Sequence, residues 1–78
     1  MSESTVRLSK LQADLTLLEE LLKTLPKDPT HAQYHKIARP VITLSESVLL
    51  TAVNDDITQE QRNRISDLRG MYCMHDVL

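Results

Sequence analysis

The leucine spacing in the first third of the chain is the feature that most constrains its fold. Six leucines follow one another at intervals of three and four residues, at Leu8, Leu11, Leu15, Leu18, Leu22 and Leu25. A repeat of 3.5 residues places all of these side chains along one stripe of an α-helix. Because a single helix of about 20 residues is marginally stable in water, other helices have to cover this stripe. The sequence therefore predicts an all-α protein.

The small size of the chain limits how that stripe can be buried. The 78 residues include no Phe, no Trp and only two Tyr, so we expect one domain with an aliphatic core. Small scaffolds ordinarily gain support from disulfides, a metal or self-association. A disulfide within the chain is excluded, because Cys73 is the only cysteine. Self-association remains, and the sequence predicts a homodimeric bundle.

Two prolines shape the first two predicted helices. Helix 1 is expected at about 5–25, where Pro26 ends it, and helix 2 at about 30–53. The short connection between them predicts an antiparallel hairpin. Pro40 lies inside helix 2 and is expected to kink or split it. A β-strand over 41–53 is the alternative, because that segment is rich in β-branched residues.

A third, shorter helix is expected at about 58–69. Gly70 is the only glycine and occupies the position of a left-handed C-terminal cap. The apolar segment 71–78 then continues as a helical turn, docks on the hairpin or contacts a partner. Polar residues at the helix starts are candidate N-caps. These are Ser2 or Ser4 for helix 1, Asp28 or Thr30 for helix 2, and Asp56 or Thr58 for helix 3.

The candidate metal and catalytic residues lack the companions that such chemistry requires. His31 and His35 are four residues apart, a spacing that lets two imidazoles reach one metal, and Cys73 with His75 could complete a tetrahedral set. No CxxC or HExxH motif accompanies them, so solvent-facing histidines are the preferred interpretation. Cys73 is interpreted as a small buried apolar residue rather than a nucleophile. We expect no enzyme, no metal and no cofactor.

The charge pattern does not favour nucleic acid as a partner. The formal net charge is −2 and the basic residues form no continuous run. Arg62, Arg64 and Arg69 on helix 3 nevertheless leave one alternative open, a small dimeric transcription regulator that contacts DNA. No apolar segment is long enough to span a membrane, and a lone cysteine suits a reducing compartment. The cytoplasm is the expected location.

A surplus of apolar residues carries the functional prediction. Helix 2 carries a second repeat with the same spacing, at Tyr34, Ile37, Val41, Leu44 and Val48. A hairpin covers one stripe of each helix, whereas both helices carry further leucines outside their repeats. Apolar faces of this kind mark interaction surfaces. We therefore expect a non-catalytic protein–protein interaction module, such as a small inhibitor, adaptor or chaperone, with a structural subunit of a larger assembly as a further alternative. The predicted partner or dimer interface comprises the six leucines of the repeat together with Leu17, Leu21, Leu49 and Leu50, and the last four are expected to face outward.

Overall fold

The protein is all-helical in the structure, which is a computed structural model. It describes residues 3–77, apart from the side chains of Ser4 and Asn54. Ser2 and Leu78, named above as a candidate cap and as the end of the apolar segment, lie outside the described residues, as does the candidate cap on the Ser4 side chain. Residues 3–77 contain no β-strand, so the all-α prediction is confirmed and the strand alternative over 41–53 is wrong. The elements are α1 (Glu3–Lys23), α2 (His31–Thr51), a short 3₁₀ helix (Asn54–Asp56) and α3 (Gln59–Asp76).

The first helix begins and ends two residues earlier than the sequence indicates. After Lys23, the amide of Thr24 donates to the carbonyl of Leu21 at 3.1 Å, and the amide of Leu25 donates to that of Leu22 at 3.3 Å. These i→i−3 hydrogen bonds tighten the chain beyond the helix. Pro26 follows, and its missing amide hydrogen prevents a further turn.

Two capping boxes fix the starts of α2 and α3. The Thr30 hydroxyl accepts the amide hydrogen of Gln33 at 3.3 Å, and the Gln33 side chain accepts that of Thr30 at 2.8 Å. Thr58 and Gln61 repeat the arrangement at 3.0 and 2.8 Å. Each box satisfies two amide groups that have no partner within the helix. Of the alternatives, Thr30 rather than Asp28 therefore caps α2.

The second helix runs without interruption through Pro40, so the predicted split is absent and the kink stays a prediction. Ile37, Val41 and Val48 are buried along it. Their burial outweighs the weak preference of β-branched residues for strands, because tertiary packing overrides local propensity. This explains why the β-branched segment is helical up to Thr51.

The second helix also lies at the centre of the molecule, packed against both α1 and α3. The first half of α1 lies beside the end of α2, where Lys10 Nζ donates to Ser47 Oγ at 2.6 Å and Ser47 Oγ donates to Asp14 Oδ2 at 2.8 Å. These contacts join α1 to α2, and the hairpin itself stays a prediction. On the other side, Arg69 of α3 forms an ion pair with Glu46 of α2 at 2.9 Å.

The third helix continues past Gly70 to Asp76, so the predicted C-terminal cap is wrong. Ile65 and Tyr72 are buried and Leu68 packs against the core. This spacing of three and four residues carries one apolar face of α3 across the glycine. A Cβ atom placed at Gly70 would meet nothing within 4 Å, so no close approach requires a glycine there.

The core is aliphatic except at its largest buried side chain. Tyr72 is completely buried, and its ring meets that of Tyr34 edge-on with centroids 5.6 Å apart. Edge-to-face aromatic pairs add to the energy of burial. The remaining core side chains are Leu11, Leu18, Ile37, Ala38, Val41, Val48, Ala52, Ile57 and Ile65.

Candidate interaction groove

A groove opens between α1 and α3 because both helices pack on the same central helix. We call this feature the α1–α3 groove. Its volume is about 230 Å³. Its lining is mainly aliphatic, from Leu15, Leu18, Leu22, Ile65 and Leu68, with Glu19, Gln61 and Arg64 as the polar members.

The leucine repeat of α1 supplies one wall of the groove. Leu18 is buried, whereas Leu15 and Leu22 are half-buried and pack against the core from its edge. Leu8 lies one heptad before Leu15, on the same face of α1, and 44% of it is exposed. The repeat therefore serves two purposes, because part of it forms the core and part remains accessible.

The two walls of the groove carry opposite charges. Glu19 belongs to α1 and has no ion-pair partner in the described part of the chain. Arg64 belongs to α3 and lies 3.5 Å from Glu60, one turn before it. Both members of that pair are largely exposed, and exposed pairs four residues apart contribute only about 0.3–0.5 kcal/mol. Arg64 is therefore free to exchange Glu60 for a carboxylate on a bound partner.

The four leucines expected to face outward do not form one surface. Leu17 and Leu50 are exposed, at 48% and 84%, but Leu21 and Leu49 are half-buried against the core. Leu21 and Leu49 are therefore less exposed than the sequence indicates, and their place in an interface stays a prediction. Leu21 and Leu25 line a second groove, between the end of α1 and the start of α2, and Leu49 and Leu50 line a third, between α2 and α3.

The grooves are small compared with ordinary small-molecule sites. Their volumes are about 230, 320 and 300 Å³, near or below the lower end of the range typical of such pockets. Within residues 3–77, no cluster of three or more His, Cys, Asp or Glu side chains is placed to hold a metal ion. Cys73, expected to be buried, is half-buried.

Three of the four residues considered as metal ligands do meet, in a cluster outside the grooves. We call His31, His35 and His75 the histidine cluster. The Nδ1 atoms of His31 and His75 are 2.8 Å apart, and Nδ1 of His35 is 2.8 Å from the carbonyl oxygen of His75. The His75 ring also stacks on Tyr34, with centroids 4.5 Å apart. The sequence predicted this contact only if the C-terminal segment folds back. The length of α3 places His75 next to the start of α2.

An ion pair that the sequence did not reveal joins α1 to the turn before α3. Arg7 Nε donates to Asp56 Oδ2 at 2.9 Å, and its Nη2 donates to Oδ1 at 3.3 Å. Asp56 also accepts the amide hydrogen of Val53 at 3.0 Å. The Arg7 hydrogen bonds, with help from that amide, lower the pKa of Asp56, and the carboxylate raises the pKa of Arg7. The partners are 49 residues apart in sequence, so no local pattern indicated their contact.

The arginines of α3 do not form one basic face. Arg69 is paired with Glu46 of α2, and Arg64 lies at the wall of the α1–α3 groove. Arg62 is half-buried and its charge helps to lower the pKa of Asp56. DNA-binding helices ordinarily present several basic side chains together, so this arrangement does not favour the DNA-binding alternative.

No similarity to a known protein points to a function for this chain. No protein-family model, curated protein or solved structure matches this chain. Among the described residues, no helix combines the length and the apolar character that crossing a lipid bilayer requires.

Proposed function

We propose that this protein is a non-catalytic interaction module whose α1–α3 groove binds an amphipathic helix of a partner protein. A small inhibitor, an adaptor or a chaperone would work in this way, and the cytoplasm stays the expected location. One observation carries the proposal. Leu15, Leu22 and Leu68 stay half-buried between two helices that pack on a common third helix.

The shape of the groove favours a helix as its occupant. Two helices that lie on a third leave the space that a fourth helix fills in a four-helix bundle. Helix-in-groove recognition uses aliphatic side chains at i, i+3 or i+4, and i+7. We expect the partner helix to carry such a row, with a basic residue facing Glu19 and an acidic one facing Arg64, because rim charges set partner choice.

The energy available from the three half-buried leucines is modest. Completing their burial yields about 1 kcal/mol each, half of the value for a fully exposed side chain. Association costs at least about 4 kcal/mol in lost translational and rotational freedom. The partner therefore has to contribute its own apolar side chains and to reach beyond the groove centre, where Leu8 extends the stripe.

Capture of the partner from the native host tests this proposal. Leu8→Glu places a charge on the stripe of α1 that lines the groove, one heptad before Leu15, and Leu50→Glu places the same charge on a more exposed leucine outside the groove. Both variants should keep their helical circular dichroism, because both sites are exposed. We expect the wild type and Leu50→Glu to retain a common protein that Leu8→Glu loses. Equal recovery by all three proteins would contradict the assignment of the groove.

A second copy of the chain is the other candidate occupant, as the predicted homodimer requires. The observation that favours it is the placement of Glu19 and Arg64 on opposite walls. A two-fold axis parallel to the groove sets α1 of one copy against α3 of the other. Each Glu19 then faces an Arg64, so the pair forms twice.

Light scattering with a charge swap tests the homodimer. Glu19→Lys should weaken association, and Glu19→Lys combined with Arg64→Glu should restore it. Glu20→Lys is the matched control, because Glu20 is exposed and does not line the groove. A monomeric wild type at all concentrations, or a double variant no better than Glu19→Lys, would exclude this arrangement.

A further inference from the structure

We propose that the histidine cluster is a proton-sensitive clip between the start of α2 and the end of α3, and that it releases the last turn of α3 when His31 takes up a proton. The proposal is independent of the function assigned to the α1–α3 groove. It rests on the placement of His31, His35 and His75 and on the way the last turn of α3 is held.

Polar contacts and the stacking of the His75 ring on Tyr34 hold the last turn of α3, and no residue of this turn is buried in the core. Tyr72 is the final core residue of this helix, and Met74 and Val77 beyond it are exposed. The contacts past Tyr72 are those of the His75 ring, the His75 carbonyl and Asp76, which accepts from Arg39 Nε at 3.4 Å. Segments with few buried apolar contacts open at low free-energy cost, so this turn is the part of α3 most easily released.

The hydrogen-bond partners determine where protons lie in the cluster. A carbonyl oxygen only accepts, so Nδ1 of His35 carries a hydrogen and donates it to the His75 carbonyl. Between His31 and His75, the 2.8 Å contact joins two Nδ1 atoms. One of them has to donate and the other has to accept. The contact therefore tolerates one protonated ring but not two.

Helix position assigns the acceptor role to His31. His31 is the first residue of α2, where the helix dipole disfavours a positive charge, and His75 is in the last turn of α3, where the dipole favours one. Stacking of His75 on Tyr34 favours a cation at His75 as well. We infer that His75 donates and that the unprotonated Nδ1 of His31 accepts.

The surrounding charges do not compensate for a second proton. Asp76 is engaged by Arg39, and Lys36 adds a further positive charge on the same helix. In residues 3–77, the charged groups at the end of α1 and in the connection make no hydrogen bond or ion pair with the cluster; these are Lys23, Lys27 and Asp28. Tyr34 and Tyr72 bring aromatic rings to this region, and burial raises the pKa of the Tyr72 phenol above its ordinary value. Two protonated rings in contact would therefore repel each other.

The direction of the pH effect follows from proton counting. The closed contact accommodates one protonated ring, that of His75, whereas both rings can carry a proton in the open form, so the open form binds one proton more than the closed form. Lowering the pH then favours the open form. We therefore expect the last turn of α3 to open as the solution is acidified from neutral pH.

Nuclear magnetic resonance of the ¹⁵N-labelled full chain tests the clip directly. At pH 8 we expect the His31 ring to carry its hydrogen on Nε2 and the His35 ring to carry it on Nδ1. Between pH 7.5 and pH 5, protection of the amides of 73–76 from exchange should fall about fivefold relative to 65–68, the change that one ordinary hydrogen bond represents. An Nδ1-protonated His31 at pH 8, or an unchanged protection ratio, would overturn the proposal.

Matched variants separate the clip from general acid sensitivity. Glutamine has no charge to gain, so His31→Gln should make the protection ratio independent of pH. His35→Gln keeps an amide donor for the His75 carbonyl and should leave the pH dependence in place. The proposal is wrong if His31→Gln retains the wild-type pH dependence. If His31→Gln fails to fold, His75→Gln replaces it with the same expectation, and the ring protonation of the wild type remains decisive.

Discussion

The Tyr72 hydroxyl is buried against α2, and no hydrogen-bond partner for it lies among the described residues. Tyr72→Phe removes this hydroxyl and keeps the ring in contact with Tyr34. Because an unpaired buried polar group costs about 1–3 kcal/mol, its removal should raise the free energy of unfolding. The loss of dispersion contacts to one oxygen atom, about 0.1–0.2 kcal/mol for each neighbouring atom, offsets part of this gain. We expect a net stabilisation of about 1 kcal/mol.

Urea denaturation and thermal melting followed by circular dichroism measure this effect. For a domain of this size, 1 kcal/mol corresponds to a rise in Tm of about 4–8 °C. Tyr34→Phe is the control, because Tyr34 is half-buried and its hydroxyl is not among the buried unpaired groups. We expect this variant to change the free energy of unfolding by no more than about 0.5 kcal/mol. If Tyr72→Phe lowers the free energy of unfolding by 1 kcal/mol or more, the Tyr72 hydroxyl makes a hydrogen bond in the folded protein and the expected stabilisation is wrong.

Alkaline pH supplies a second test of the same residue. Burial, with a smaller contribution from Tyr34, raises the pKa of Tyr72 above its ordinary value of 10.0. A raised pKa in the folded state means that the neutral phenol stabilises the fold below pH 10 and that this contribution is lost as the pH rises further. The wild type should therefore lose stability above pH 10 more steeply than Tyr72→Phe.

Two further predictions concern the helix interior and the ion pair of α1. Gly70→Ala should stabilise the protein by about 0.5–1 kcal/mol in urea denaturation, because Gly70 is inside α3 and a Cβ there meets no neighbour; destabilisation would mean that α3 is interrupted at this residue. Asp56→Asn should flatten the acid limb of the stability profile. Because the pKa of Asp56 is lowered, its ionised form stabilises the fold above pH 3.8, and this stabilisation disappears as the pH falls through the folded-state pKa. Equal slopes of unfolding free energy against pH below pH 4 in wild type and variant would contradict the Arg7 contact.

The sequence predicts those parts of the fold that depend on local patterns. The leucine repeat indicated α1, and the Thr30 and Thr58 capping boxes were among the candidate helix starts. The end of α3 was predicted wrongly at Gly70, because a glycine is permitted in a helix when the apolar face continues on both sides of it. Ile65, Leu68 and Tyr72 carry that continuing face, and their spacing was the signal that could have corrected the prediction.

The candidate site was predictable only as a set of residue types. The repeat predicts that Leu15, Leu18 and Leu22 belong to an interface, but which part of the stripe remains accessible depends on where α3 packs. The partial burial of Leu21 likewise depends on tertiary packing, because Leu21 lies at the groove between α1 and α2. Contacts between distant residues, such as Arg7 with Asp56, are set by the tertiary arrangement and leave no trace in local spacing.

Site-specific photo-crosslinking in the native host can show whether the partner protein binds at the α1–α3 groove. A benzophenone amino acid replaces Arg64 on the groove wall in one variant and the exposed Thr43 of α2, outside the groove, in the other. We predict that the probe at position 64 forms a discrete cross-linked product with one protein and that the probe at position 43 forms none. Cross-linking from position 43 with none from position 64 would show that the partner binds outside the α1–α3 groove.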